Sequence, residues 1–287
     1  MITDGETDCV YLSDLLLQRH PWLADDFVRP LTGVGVDVRT IAGTKDIWCR
    51  DYMPIQVKVN HFVQFYYQPD YLRGRFRHLI TNYKVSMSVV PEGQCIKSGL
   101  WLDGGNLVRW KDKAILTDKV FKANHRWSHR QVRWNLSQFL GVEQLIFIPA
   151  EPHEWLGHAD GVVRFVADDT VVVNDYSCTD PDYRECLLDE MDKAGLKVIE
   201  LPYMPPCRCN RGIASAIGVY VNYLQVRGAI FVPTYKKPED DFVCRLLEEV
   251  FPHDRIIPVA ATWLAAEGGV LNCIAWGIRT RWSPDLW

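Results

Sequence analysis

A polar motif recurs along this chain at a spacing of roughly 50 residues, each time behind a helix and a strand and ahead of further strands. The markers Asp51, Asp103, His158, Asn222 and Cys273 are separated by 52, 55, 64 and 51 residues. In the first unit, residues 12–29 read as a helix through Leu12, Leu15, Leu16, Leu23 and Phe27, with Pro21 as a break. Residues 34–41 read as a strand, 44–54 as a loop and 55–65 as a strand or hairpin. The second unit has a helix near 75–83, a strand at 85–90, the loop Leu102-Asp103-Gly104-Gly105-Asn106, and strands at 107–110 and 113–117.

The third unit predicts a helix at 128–140, a strand at 144–148, the loop Gly157-His158-Ala159-Asp160-Gly161, and strands at 162–166 and 170–174. The fourth predicts a helix at 181–194 and strands at 197–201, 219–226 and 229–233. The fifth has a helix at 238–250 and a strand at 255–259, then the stretch 267–276. There Gly268-Gly269 feeds an apolar run, 270–276, that reads as a strand holding Cys273. Such a unit cannot bury its apolar face alone, so repeated units must share a core. Five units closed around an axis place every polar loop at one end, where residues remote in sequence meet. The fold class is therefore α/β, one domain over residues 1–287 with pseudo-fivefold ββαβ repeats. A doubly wound sheet is the competing layout, but neither GxGxxG nor GxxxxGK[ST] occurs in the chain to support it.

Composition narrows the function. At 48% hydrophobic, 24% charged and a net charge of −4, with no block of like charges, the chain has no nucleic-acid footprint. No apolar stretch approaches the ~18 residues of a membrane helix, and the acidic start, Met1 to Asp8, has no apolar signal segment. Nine scattered cysteines form no CxxC pair, and Cys207-Arg208-Cys209 has the wrong spacing for a zinc knuckle. Free thiols in a reducing cytoplasm are the simplest account, with no metal and no cofactor expected. Homo-oligomer formation is left open.

The recurring loops bring together a thiol, an imidazole and three carboxylates, Asp51, Asp103 and Asp160. Like charges in one pocket raise each other's pKa unless a cation lies between them. A planar guanidinium fits, because carboxylates take its N–H donors in pairs. A cysteine facing the guanidinium carbon becomes a nucleophile once ionised, and a bound cation or protonated His158 favours that ionisation. His158 would then give a proton to departing ammonia and take one from water. Singly, each residue has a plainer reading: a loop Asp is usually a turn or cap residue, a lone His usually a structural hydrogen-bonding group, and Cys273 a small buried hydrophobe. Their recurrence at one position of a repeat is what favours chemistry.

Trp48-Cys49-Arg50-Asp51-Tyr52-Met53-Pro54 resembles the WxRDxGP motif of the agmatine deiminase and bacterial-type peptidylarginine deiminase family. Leu102 to Asn106 is similar to its [ED]GGN, Gly157 to Asp160 to its GHxD, Tyr220 to Tyr223 to its YxNF, and Gly268 to Cys273 to its GGxxHC. The order matches from about residue 34 to 280. The resemblance implies the five-bladed α/β propeller known as the pentein fold. It implies Cys273 as nucleophile, His158 as general acid and base, Asp51 and Asp160 clamping the guanidinium, Asp103, Asn222 and Gly269 supporting the site, and Trp48 as part of its wall. Met53 and Asn272 stand where the family has Gly and His. Arg73 and Arg75 look similar to a pair that holds a substrate carboxylate in bacterial peptidylarginine deiminases, with a solvated strand edge as the plainer alternative.

The expected function is hydrolysis of the guanidinium of a small cationic substrate (agmatine, arginine or the C-terminal arginine of a peptide) through a covalent thiouronium on Cys273. An amidinotransferase, a papain-like protease and a non-catalytic guanidine-binding protein are the alternatives. The protease lacks its CGxCW-type signature.

Overall fold

The computed structural model describes residues 1–90, 94–152, 156–205, 209–210 and 213–280. Its strands are β1 (Cys9–Ser13), β2 (Asp37–Ile41), β3 (Ile55–Lys58), β4 (His61–Tyr66), β5 (Cys95–Trp101), β6 (Val108–Trp110), β7 (Lys113–Thr117), β8 (Gln144–Ile148) and β9 (Val163–Ala167). They continue with β10 (Thr170–Asn174), β11 (Lys197–Leu201), β12 (Cys209–Asn210), β13 (Ile213–Ala214), β14 (Leu224–Val226), β15 (Ala229–Thr234), β16 (Arg255–Ala260) and β17 (Ala275–Ile278). Apart from the β12–β13 hairpin they form five three-stranded sheets, ordered β17-β1-β2, β3-β4-β5, β6-β7-β8, β9-β10-β11 and β14-β15-β16. In each, the first pair is antiparallel and the second parallel. A parallel partner needs a crossover, and helical segments supply it.

The longest crossovers show why these residues are helical. His129–Leu140 opens with a capping box in which Ser128 Oγ accepts from Gln131 N at 3.3 Å while Gln131 Oε1 accepts from Ser128 N at 2.9 Å. It closes at Gly141 in the left-handed region, φ 64°. Val132, Leu136 and Leu140, at helical spacing, form its buried stripe. Pro181–Lys193 is capped by Asp180, whose carboxylate accepts from Tyr183 N at 3.0 Å, and buries Tyr183, Leu187 and Met191 in the same way.

Four segments depart from the sequence reading. Leu12 belongs to β1, every residue of which is buried, and the helical residues follow it in short pieces, Leu16–Arg19, Ala24–Val28 and Arg29–Gly33. The expected strand at 85–90 is instead the end of a helical turn, Tyr83–Met87, capped by Asn82 Oδ1 accepting from Lys84 N at 2.9 Å. The strand of that sheet is β5, further on. Residues 219–223 form a 3-10 turn, Tyr220–Asn222, before β14. The run at 270–276 stays in turns through residue 274, and only Ala275–Ile278 is a strand.

The five polar motifs touch one another in sequence and the last touches the first. Gly105 N donates to Asp51 Oδ1 at 3.0 Å, and His158 Nε2 lies 3.1 Å from Asp103 Oδ2. Asn222 Nδ2 donates to the Asp160 carbonyl at 3.1 Å, and Asn272 N to the Asn222 carbonyl at 3.2 Å. Arg50 N, donating to the Cys273 carbonyl at 3.1 Å, completes the circuit. Residues from five sheets therefore meet on an axis. Sheet one is itself made by pairing β1 with β17, so the start and end of the described chain fasten the ring together.

The opposite half of the axis is filled by the residues before β1. Asp4, 8% exposed, receives Arg164 Nη2 at 2.7 Å and Arg109 Nε at 3.2 Å, with Arg50 Nη1 at 3.9 Å. Burial opposes its charge, but the three guanidiniums outweigh burial and hold its pKa down at about 2. Among the described residues no helix is long and apolar enough to cross a membrane.

Candidate active site

Four of the five motif loops turn tightly just where a strand begins. Cys49–Tyr52 is a single helical turn, and Gly104–Asn106, Ala159–Gly161 and Tyr220–Asn222 are 3-10 turns. Gly105 marks the centre. A Cβ added there would lie 2.7 Å from Asp51 Oδ1, 2.7 Å from His158 Nδ1 and 3.2 Å from Asp160 Oδ1. Three functional groups from three sheets thus converge over a bare backbone.

His158 is buried, with Nδ1 3.6 Å from Asp51 Oδ1 and Nε2 3.1 Å from Asp103 Oδ2. Burial works against its charge, but the Asp51 charge and the hydrogen bond and charge of Asp103 prevail and raise its pKa to about 9. Asp51 is pushed up to about 6, first by burial and then by Asp103 and Asp160, despite the opposing His158. Cys273 Sγ donates to Asn222 Oδ1 at 3.4 Å. Its thiol is pushed well above the usual range by burial and then by the charges of Asp160 and Asp51. Without a cation, this sulfur stays protonated at neutral pH.

Trp48 is half-buried and lies against Gly269, where a Cβ would come within 2.6 Å of the indole ring. Gly268, at φ 105°, makes the bend that brings Gly269 there. Trp48, Tyr71, Asp46, Arg19 and Glu267 help to line a cavity of about 610 Å³. Asp46 is raised to about 7, by burial and then by Asp51, while one oxygen accepts from Trp48 N at 3.1 Å.

Asp51, Asp103, His158, Asp160, Asn222, Cys273, Trp48 and Gly269 are thus brought together. Arg73 and Arg75 are not. Arg73 is exposed and lines a different cleft with Asp103, Lys119, Lys122 and His125, and the Arg75 guanidinium sits 4.8 Å from the Phe76 ring centre in solvent. Met53 is buried among Cys49, Tyr52 and Trp276, away from the centre. Two neighbours escaped the sequence reading. Tyr71 donates its hydroxyl to Asp51 Oδ2 at 3.0 Å and contacts Tyr67 Oη at 3.2 Å. Asn272 Nδ2 donates to Asp160 Oδ2 at 2.6 Å. Tyr71 stands 20 residues from Asp51, with no periodic signal to join them; Asn272 stood in view as a departure from a motif. Among the described residues no group of His, Cys, Asp and Glu is arranged to hold a metal ion, and Cys207 and Arg208 lie outside those residues.

The model of the Porphyromonas-type peptidyl-arginine deiminase family matches residues 18–278. The chain belongs to that family. A putative agmatine deiminase of Mycoplasma mycoides is 26% identical over 203 residues, covering 60% of this chain and 56% of that relative, little more than half its length. The structure of a C. jejuni agmatine deiminase with substrate bound is similar with a TM-score of 0.80 at 18% identity, over 96% of this chain and 95% of that one. A putative arginine deiminase from Porphyromonas gingivalis matches with a TM-score of 0.78 at 18% identity, over 96% and 97%. These likenesses establish the five-bladed pentein fold for this member of the family.

Proposed function

We propose that this chain is a deiminase that hydrolyses the guanidinium of a small cationic substrate of the agmatine type to a ureido group and ammonia. The observation that supports it most directly is the meeting of Asp51, His158 and Asp160 around Gly105, beside the Cys273 sulfur. Membership of a deiminase family agrees with it.

In this reading the substrate supplies its own activation. A guanidinium seated between Asp51 and Asp160 neutralises the charges that keep the Cys273 thiol protonated, so the thiolate forms only when substrate is bound. The thiolate attacks the guanidinium carbon, forming a C–S bond. Imidazolium His158, held by Asp103, gives a proton to the departing nitrogen, and the C–N bond breaks to release ammonia and leave a thiouronium. Neutral His158 then takes a proton from water as its oxygen adds to the same carbon. Loss of the adduct's hydroxyl proton to solvent as the C–S bond breaks gives the ureido product and returns the thiolate.

The cavity beside Trp48 and Tyr71 carries Arg19 together with Asp46 and Glu267, while Arg73 lines another cleft. With both signs of charge in that lining, the choice between agmatine and a carboxylate-bearing arginine is left to experiment. Incubation with agmatine, arginine and Arg-terminated peptides, followed by ammonia assay and mass spectrometry, tests the reading. A gain of about one mass unit in agmatine, lost in Cys273→Ala by several orders of magnitude, is expected. Ammonia production that survives Cys273→Ala, or guanidino transfer to an added amine, would overturn it.

A further inference from the structure

Asp160 has two oxygens with different surroundings. Oδ1 faces the point shared by Asp51 and His158, while Oδ2 takes the 2.6 Å bond from Asn272 Nδ2. A carboxylate on one side-chain bond turns easily about χ2. Among the described residues Asn272 is the one side chain that hydrogen-bonds Asp160. Asn222 holds only its backbone carbonyl.

Asn272 is itself immobilised. It is 1% exposed, its N–H donates to Asn222 O at 3.2 Å, and its carbonyl accepts from Ala275 N at 3.3 Å. It also directly precedes Cys273, so one turn fixes both the sulfur and the partner of the facing carboxylate.

We propose that Asn272 is a positioning residue, pinning Oδ2 of Asp160 so that Oδ1 faces the bound guanidinium. This rests on the function proposed above. The choice of an amide matters. A carboxamide donates without carrying charge at any accessible pH, so it orients Asp160 without neutralising it. A lysine, arginine or protonated histidine in its place would orient the carboxylate and also consume its charge, leaving less for the substrate. Histidine is what the motif resembled by Gly268 to Cys273 carries. This chain has separated holding the carboxylate from titrating beside it.

The test is a double-mutant cycle on the full chain, with calorimetric affinity for agmatine as the readout in a Cys273→Ala background, where no turnover intervenes. Asn272→Ala should weaken agmatine at least tenfold when Asp160 is present. It should change affinity less than threefold when Asp160→Asn is already in place. In the intact-cysteine series, Asn272→Asp, the same size but an acceptor facing an acceptor, should lose more kcat/KM than Asn272→Ala, whereas Asn272→His, which keeps an N–H, should recover part of it at high pH. An equal loss with and without Asp160, or none at all, overturns the proposal. Should Asn272→Ala fail to fold, Asn272→Asp replaces it in the cycle on the same criteria. Agmatine binding without wild-type ammonia release would defeat the reaction alone; no binding would defeat both.

Discussion

Gly105→Ala is a one-methyl probe of the whole proposed active site. Its Cβ would lie 2.7 Å from both Asp51 Oδ1 and His158 Nδ1, where ordinary contact begins near 3.4 Å, and 3.2 Å from Asp160 Oδ1. Relief requires two of these groups to retreat by about 0.7 Å and the third by less, each away from the place where substrate must sit. Misplacement of reacting groups by about 1 Å costs on the order of 100-fold in rate, or about 2.7 kcal/mol of barrier. A fall in kcat/KM of at least about 100-fold is therefore expected, read by ammonia release from agmatine. Folding should suffer far less, since a methyl forced into a packed site costs about 1–3 kcal/mol, and thermal unfolding gives that figure. Gly161→Ala is the control, because nothing lies within 4 Å of a Cβ there in the same loop as Asp160. Activity of Gly105→Ala within about fivefold of wild type, with the melting temperature unchanged, would refute the convergence of the three groups on that point.

Other outcomes follow from the same geometry. The pH profile of kcat/KM should rise through about 6 as Asp51 ionises and becomes able to hold a cation, and fall through about 9 as His158 loses the proton it must donate. Asp51→Asn should remove the acid limb from whatever activity remains. Asp4→Asn should cost about 3–5 kcal/mol in denaturant titrations, because it leaves buried guanidiniums uncompensated. Its folded pKa lies below the unfolded value, so the stability it contributes is present above about pH 4 and lost as pH falls towards 2; the variant should lose the acid dependence in that window. Arg73→Ala with Arg75→Ala should change kcat/KM for agmatine by less than about threefold. A large, selective loss for arginine as substrate would restore a carboxylate-holding role to that pair.

How much of this was legible depended on whether the signal was local. β7 and β10 were placed from sequence because each is a short, largely apolar run that is buried from its second residue on, and β8 and β11 because each is a short β-rich run next to a turn. The Pro181–Lys193 helix announced itself through Asp180 and Pro181 at its start and Gly195 after its end, and the His129–Leu140 helix was read with nearly its observed bounds. The strand expected at 85–90 failed because Val85, Met87 and Val89 alternate like a strand, while Asn82 caps a helical turn across the same residues. The true strand, β5, was hidden by its exposed residues Ile96, Lys97 and Gly99, which break the apolar alternation. Leu12 was drawn into a helix by the leucines after it, although the run it ends is buried on every side. The site loops were readable as a set because the repeat brought them into register. The axial ion cluster was not, although arginine in the middle of two apolar strands, at Val108-Arg109-Trp110 and Val163-Arg164-Phe165, was a signal that something acidic had to come to them.

The pairing of β1 with β17 bears on how the ring is assembled during synthesis. While a nascent chain is on the ribosome, four sheets have all their strands before the fifth can recruit its last one. Cys273, the nucleophile of the proposed reaction, emerges two residues ahead of that strand. On the proposed mechanism, a polypeptide that stops short of Cys273 carries the acids and the imidazole without the thiol, and the ring shuts only when β17 follows.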